Sequence, residues 1–275
     1  MALFSDFFFE HRLDPVILDS KYLEWVQGSF EFAEKHHFDA IEVIIEHPLN
    51  TSALEEFVRI CNGFHMPKTI HAPFLEHNLM VMDQIINRAA LAEYLQIIDI
   101  AAAIKAQNIT YHTGAPIKML GFLYPCYRQI LLQNAAAIAQ KYQEYSDPSF
   151  QICFENMPQM VNFFGTTGQI REYFDTTEFS GFKMTLDTSH GWTMGGDQVL
   201  EELIKTMKDK IVHTHFVDNI TFDNDPHIAV GTGKIDFQRI LKTLQEVEYS
   251  GYITIEVMGA EAALKSKEYL DQIYK

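Results

Sequence analysis

The sequence predicts one (β/α)8 barrel, an α/β fold of the TIM type covering residues 1–275 as a single domain. Three features carry that expectation. Short apolar segments alternate with longer helical stretches from one end of the chain to the other. No linker or shift in composition divides the 275 residues, a length that single barrels commonly reach. Imidazole and carboxylate side chains recur at, or just past, the C-terminal tips of successive strand segments, the end at which such barrels work.

In chain order, strand segments lie near 3–9, 39–45, 67–71, 108–112, 150–155, 182–187, 211–216 and 252–256. The first is the weakest, because FSDFFFEH also reads as a packed loop. No basic stretch or small-residue cleavage site accompanies its aromatic run, so it is read as buried strand rather than signal peptide. Helical periodicity is clearest at 79–106, 127–145, 197–208, 236–247 and 260–273, and eight strands and eight helices are expected in strict alternation. Within 211–216, Val212, Thr214 and Phe216 oppose His213 and His215. Met184 and Leu186 likewise oppose Thr185 and Asp187, and Ile253 and Ile255 oppose Thr254 and Glu256. Successive strand side chains point to opposite faces, so the apolar set should meet the helices and the polar set the barrel axis. One tier below the strand tips, Thr69, Thr110, Cys153, Thr185, His213 and Thr254 would then support the groups above by hydrogen bonds.

Composition bounds the function. At 47% hydrophobic and 21% charged, the chain can bury one large core. No run of 18 apolar residues appears, so a membrane span is not expected. Cys61, Cys126 and Cys153 form no CxxC pair and read as free thiols in a reducing, cytoplasmic setting. A formal charge of -16 offers no general attraction for nucleic acid or anionic membranes.

Nine strand-end residues are candidate metal ligands: His71, His112, Glu155, Asp187, His190, His215, Asp225, His227 and Glu256. Asp187 and His190 can converge on one ion across a turn, although Asp187 could instead cap the following helix. Glu155 and Glu256 end apolar strands on the inward parity, where an unpaired carboxylate is costly and needs a cation or donor. His213 is an alternative to His215, one pleat lower. After the seventh strand, Gly231-Thr-Gly233-Lys234 could cradle an anion, with Lys234 binding substrate, or could be a simple turn before the next helix. His36, His37 and His65 are expected to face solvent, whereas His11, His47 and His77 follow strands without further distinction. Phe74, Phe163, Phe164 and Trp192 are packing residues or an apolar wall.

Together, HAPF, YHTG, FENMP, LDTSHGW, HTHFVDN, DPHIAVGTGKIDF and YSGYITIEV resemble the xylose isomerase-like TIM barrel superfamily, which includes sugar isomerases, ketose epimerases, inosose-processing enzymes and the endonuclease IV group (AP endonuclease family 2). Similarity to the sugar enzymes implies one divalent ion (zinc, manganese, magnesium or cobalt) on Glu155, Asp187, His215 and Glu256. The two glutamates would double as a catalytic acid/base pair that moves a proton through an enediolate, with His190 positioning a carbohydrate substrate. The chain departs from the ketose 3-epimerases at two points: Asn219 or Thr221 stands where their substrate-binding Arg is expected, and no Glu follows Glu155 closely. Similarity to endonuclease IV implies up to three zinc ions on all nine positions and an attack on the backbone phosphate of abasic-site DNA. Phe74 and the segment HPLNTSALEE depart from that group's DNA-contacting residues. Acidity and those departures put a sugar or sugar-phosphate isomerase or epimerase first, with nucleic acid a partner only under the second reading and a homo-oligomer compatible with either.

Overall fold

The computed structural model describes residues 2–4, 15–46, 49–146 and 148–274. Eight parallel strands form one sheet: β1 Ala2–Phe4, β2 Ile41–Ile44, β3 Lys68–His71, β4 Asn108–Tyr111, β5 Gln151–Glu155, β6 Lys183–Asp187, β7 Ile211–Phe216 and β8 Ile253–Met258. They pair in the order β1-β8-β7-β6-β5-β4-β3-β2, and β1 and β2, the two ends of that order, meet side by side to round the barrel. Of the first expected strand, residues 5–9 lie outside the described residues, as do His11 and His47. The helices are α1 Pro15–Lys35, α2 Thr51–Gly63, α3 Gln84–Ile104, α4 Tyr124–Tyr142, α5 Thr167–Phe174, α6 Thr188–Thr193, α7 Asp197–Met207, α8 Phe237–Glu246 and α9 Ala260–Ile273. Among the described residues strict alternation fails where β6 is followed by both α6 and α7.

Local chemistry sets the boundaries that periodicity missed. Helix α3 starts at Gln84 rather than 79, because the Asp83 carboxylate accepts the Ile85 and Ile86 N–H groups and caps it there. Leu79 and Met80 are buried, but in the loop ahead of that cap. Helix α4 starts three residues earlier than expected, after a 3-10 turn at Lys118–Leu123 and with a proline in its first turn, where the missing N–H costs nothing.

The inward and outward faces follow the alternation. Outward, Phe154 packs on Phe179 and Phe182 with ring centroids 4.6 and 5.1 Å away, and Phe216 meets Phe237 of α8 at 5.3 Å. Inward, the Thr110 and Thr185 hydroxyls, on strands separated by β5, lie 2.8 Å apart. Glu42 of β2 reaches across the barrel to His213 of β7 at 2.7 Å. The interior is thus a polar column, and the large apolar core is the annulus between strands and helices. A register shift where β6 meets β7, at Met184/Thr185, sets Thr185 beside His213 and Asp187 beside His215.

Candidate metal centre at the C-terminal end of the barrel

Glu155 and Asp187 are the last residues of β5 and β6, and His215 and Glu256 lie on β7 and β8. All four are buried, and their ligand atoms fall within 4.8 Å of one another. Three donor atoms in this group, Asp187 Oδ2, His215 Nδ1 and Glu256 Oε2, are buried without a hydrogen bond. His215 Nδ1 and Glu256 Oε2 stand 3.0 Å apart yet out of line for a hydrogen bond, as two ligands turned toward a common ion would be. Buried polar atoms left unpaired are rare, and three carboxylates with one imidazole suit a hard-to-borderline divalent cation. The residues therefore fit such an ion.

Asp187 caps the next helix, the alternative to its expected role as a ligand, and still leaves one oxygen toward the ligand group. Its Oδ1 accepts the His190 N–H at 2.6 Å and caps α6, while Oδ2 is the unpaired atom. Burial pushes its carboxyl up to about 7, with the charges of Glu155, Asp225 and Glu256 adding to the rise against His190. Burial also disfavours charge on Glu155 and Glu256, but the surrounding imidazoles, His215 foremost, hold both below the usual carboxylate range.

The remaining candidates form two groups beside the first. His71, His112 and Glu155 offer ligand atoms within 4.8 Å of one another. His71 Nδ1 donates to the Ala72 carbonyl at 2.8 Å, leaving Nε2 to face Glu155 Oε2 at 3.6 Å, and His112 Nε2 lies 3.0 Å from the same oxygen. His190 and His227, by contrast, close on Asp225, whose Oδ2 is 2.9 and 3.1 Å from their Nε2 atoms. Although burial opposes charge on these rings, the carboxylates around them raise His190 well above its ordinary value and His227 to about 9. His227 sits at φ 45, an uncommon backbone conformation for a side chain of that size.

Sequence reasoning missed Glu42. It is fully buried, 2.7 Å from His213 Nε2 and 2.9 Å from His215 Nε2, and takes a hydrogen bond from Thr69 Oγ1 at 3.0 Å. Burial would raise its carboxyl, but the two imidazoles bring it well below the ordinary range. The signal was present: Glu42 lies between Ile41 and Val43, so it is the β2 member of the inward tier that begins with Thr69. This contact also separates the two histidines, since His213 faces Glu42 while His215 bridges Glu42 and the ligand group.

The glycine loop after β7 does not present its amides outward. Gly231 and Gly233 donate to Asp218 Oδ2 at 2.9 and 2.7 Å, and Ile235 to Oδ1 at 3.2 Å, so the cradle holds the chain's own carboxylate. A Cβ at Gly233 would meet Asp218 Oδ1 at 2.3 Å, which is why that position is glycine. The Lys234 residue is exposed. His37 and His65 are exposed, His36 stacks on Phe32, and His77 pairs with Glu93 at 2.7 Å, all apart from the ligand groups. Phe163 and Phe164 pack on Tyr173, and Trp192 stacks on Phe222 at 4.4 Å. Phe74 lies against the His71 and His112 rings and lines a cleft of 480 Å³ together with His112, Met157, His190 and Asp225. A larger depression of 820 Å³, at the opposite end around Lys208 and Tyr249, contains none of the nine candidates.

Known proteins place this architecture. An uncharacterised protein of Methanocaldococcus jannaschii is 26% identical over 253 residues, covering 90% of this chain and 85% of its own length. An inosose dehydratase of Lacticaseibacillus casei is 29% identical over 129 residues, 38% of this chain and 43% of that protein. The crystal structure of a D-tagatose 3-epimerase-like protein superposes with a TM-score of 0.79 at 24% identity, covering 89% of this chain and 91% of the other. That of the 3-keto-D-glucoside 4-epimerase from E. coli does so with a TM-score of 0.71 at 16% identity, covering 90% and 94%. The family model described as xylose isomerase-like TIM barrel matches residues 30–273, and the chain belongs to that family.

Proposed function

We propose that this chain is a divalent-metal-dependent sugar isomerase or epimerase that moves a proton on the carbon beside a substrate carbonyl. The observation that carries the reading is the convergence of Glu155, Asp187, His215 and Glu256, three of whose buried atoms lack a partner, directly behind the His112 and His190 rings that line the cleft. An ion held there would draw charge from the carbonyl and acidify the neighbouring C–H. Glu155, ionised among its imidazoles, accepts the proton and returns it to the neighbouring carbon in an isomerisation, whereas in an epimerisation Glu256, ionised at rest, first takes up a solvent proton and delivers that to the opposite face. His190, anchored through Nδ1 on the Asn156 carbonyl at 2.8 Å, directs Nε2 toward the cleft wall at Asp225 and orients a substrate hydroxyl. Phe74 and Met157 shield the reacting carbon from water.

The test is solvent deuterium entering a substrate C–H during turnover of ketoses and aldoses by the metal-loaded protein. E155Q and E256Q should each lower exchange by about a hundredfold or more, the scale of lost acid/base assistance. A second reading, an endonuclease IV-like phosphodiesterase, draws on the His71, His112 and Glu155 group as a second ion position. Nicking of abasic-site DNA by zinc-reconstituted protein, without exchange into any sugar, would replace the first reading with the second.

A further inference from the structure

Two sets of backbone amides, one lining the cleft and one in the loop after β7 that also supplies Asp225, are each filled by a carboxylate of the chain itself. Phe74 and Leu75, both lining the cleft, donate to Glu46 Oε1 and Oε2 at 2.7 and 3.2 Å. Gly231, Gly233 and Ile235 close on Asp218. Such amide concavities are where a substrate phosphate would bind, and a resident carboxylate both uses the donors and repels a second anion. Among the described residues lining the cleft there is no lysine or arginine.

The rim is rich in exposed apolar side chains, although the loop after β7 also carries the exposed Lys234. Of the twelve exposed large hydrophobic side chains among the described residues, eleven lie on loops, helix starts or strand ends at this end of the barrel, and only Tyr274 lies elsewhere. Leu75, Met160, Ile220 and Phe222 are 58, 50, 46 and 47% exposed. They come from the loops after β3, β5 and β7, the same loops that bring Phe74, Met157 and Asp225 to the cleft. Ligand sites combine an apolar lining with a few placed polar groups, and here Glu76, His77, Asn78 and Asp225 supply polar groups beside Phe74, Leu75 and Met157.

We propose that the substrate is an uncharged, unphosphorylated sugar carrying an apolar substituent, its hydroxy-ketone on the ligand cluster and its substituent against Leu75 and Phe222. This rests on the proton-transfer reading and narrows it from sugars and sugar phosphates to one class. The test is calorimetric titration of the manganese-loaded protein with fructose, tagatose and allulose, each as the free sugar, the 6-phosphate and the 6-O-benzyl ether. For at least one sugar, the benzyl ether should bind at least tenfold more tightly than the free form, and the phosphate more weakly than both. Tenfold corresponds to removing only about 60 Å² of apolar surface from water. F222A and, on a separate exposed loop, L75S should each reduce the benzyl preference, so a folding defect in one does not decide the matter. Equal affinities, preference for the phosphate, or no binding by any member of the set overturns the proposal. So does an unchanged benzyl preference in both variants, or their dissociating a dimer instead. Deuterium exchange is scored separately, so a protein that prefers the benzyl ether but exchanges no proton fails the reaction reading alone.

Discussion

Glu42→Gln should weaken metal binding without touching a ligand, and the structure fixes the direction. Glu42 Oε2 receives two donors, Thr69 Oγ1 at 3.0 Å and His213 Nε2 at 2.7 Å, whereas Oε1 faces His215 Nε2 alone at 2.9 Å. A glutamine has one acceptor to place. Putting its carbonyl at the Oε2 position keeps two hydrogen bonds, and putting it at Oε1 keeps only the short contact with His215 Nε2, which is no hydrogen bond, so the amide NH2 should turn toward His215. His215 must then offer an Nε2 lone pair, which moves its proton to Nδ1, the atom that faces Glu155 and Glu256 at 3.5 and 3.0 Å. A protonated Nδ1 cannot ligate, so the expected loss is about 10–100-fold in metal affinity, the scale for removing the partner that orients a metal-bound histidine. Loss of one charge-assisted bond should also cost about 1.5–3 kcal/mol of stability. Competition with a chromophoric chelator reads the affinity, and thermal unfolding reads the stability. Thr69→Val is the control: it removes a donor from the Oε2 side only, and should lower stability by about 1 kcal/mol while leaving metal affinity intact. E42Q protein that binds metal as tightly as the parent would refute the argument.

Three further outcomes follow from the ionisable side chains of the ligand groups. His71 and His227 are raised to about 8 and 9 by the carboxylates around them, against burial that opposes their charge. The stability they contribute is therefore complete below about pH 6.5 and is lost as pH rises through 8 and 9, about 2 and 3 kcal/mol respectively. Asp187, raised to about 7, acts in the same direction over a lower window, its contribution complete below about pH 4 and lost as pH rises through 7, because ionising it in the fold costs more than in the unfolded chain. Metal-free protein should thus melt at lower temperature at pH 9 than at pH 6, and metal should reverse the trend by replacing the protons; a flat metal-free profile contradicts it. Asp187→Asn keeps an α6 cap but removes the charge, so the metal-free variant should be more stable at pH 8 than the parent, by up to about 4 kcal/mol, while gaining nothing from added metal. Asp187→Ala should lose the cap as well and sit about 1 kcal/mol below the asparagine variant in paired unfolding measurements.

The barrel was legible because its strands keep a period of two and its helices a longer one. His215 and Glu256 could be oriented from Phe216 and Ile255 beside them. Caps were harder to read: Asp83 looks like any surface acid until its two bonds to the α3 amides place it. Glu42 was missed because the search followed strand tips, and it lies mid-strand on β2, with partners on the far wall of the barrel. No local pattern encodes a contact between residues 171 positions apart. The glycine loop misled for a related reason. Its spacing suits an anion, and the anion is Asp218, thirteen residues before Gly231 and invisible to a motif that begins at the glycines. How the nine candidates divide depends on atom positions: Asp225 is matched by two imidazoles, while Asp187 Oδ2 is matched by none.

The two oxygens of Asp187 have a mechanical consequence. One is fixed to the first turn of α6 and the other faces the ligand group, so a single carboxylate joins that short helix to the group, while Thr188 and His190 tie it further to the Val217 and Asn156 carbonyls. Trp192 rides on the same turn, with its ring against Phe222 at the rim. A cation bound among the four ligands would act on the same turn that carries the indole, so tryptophan emission should change when metal is added.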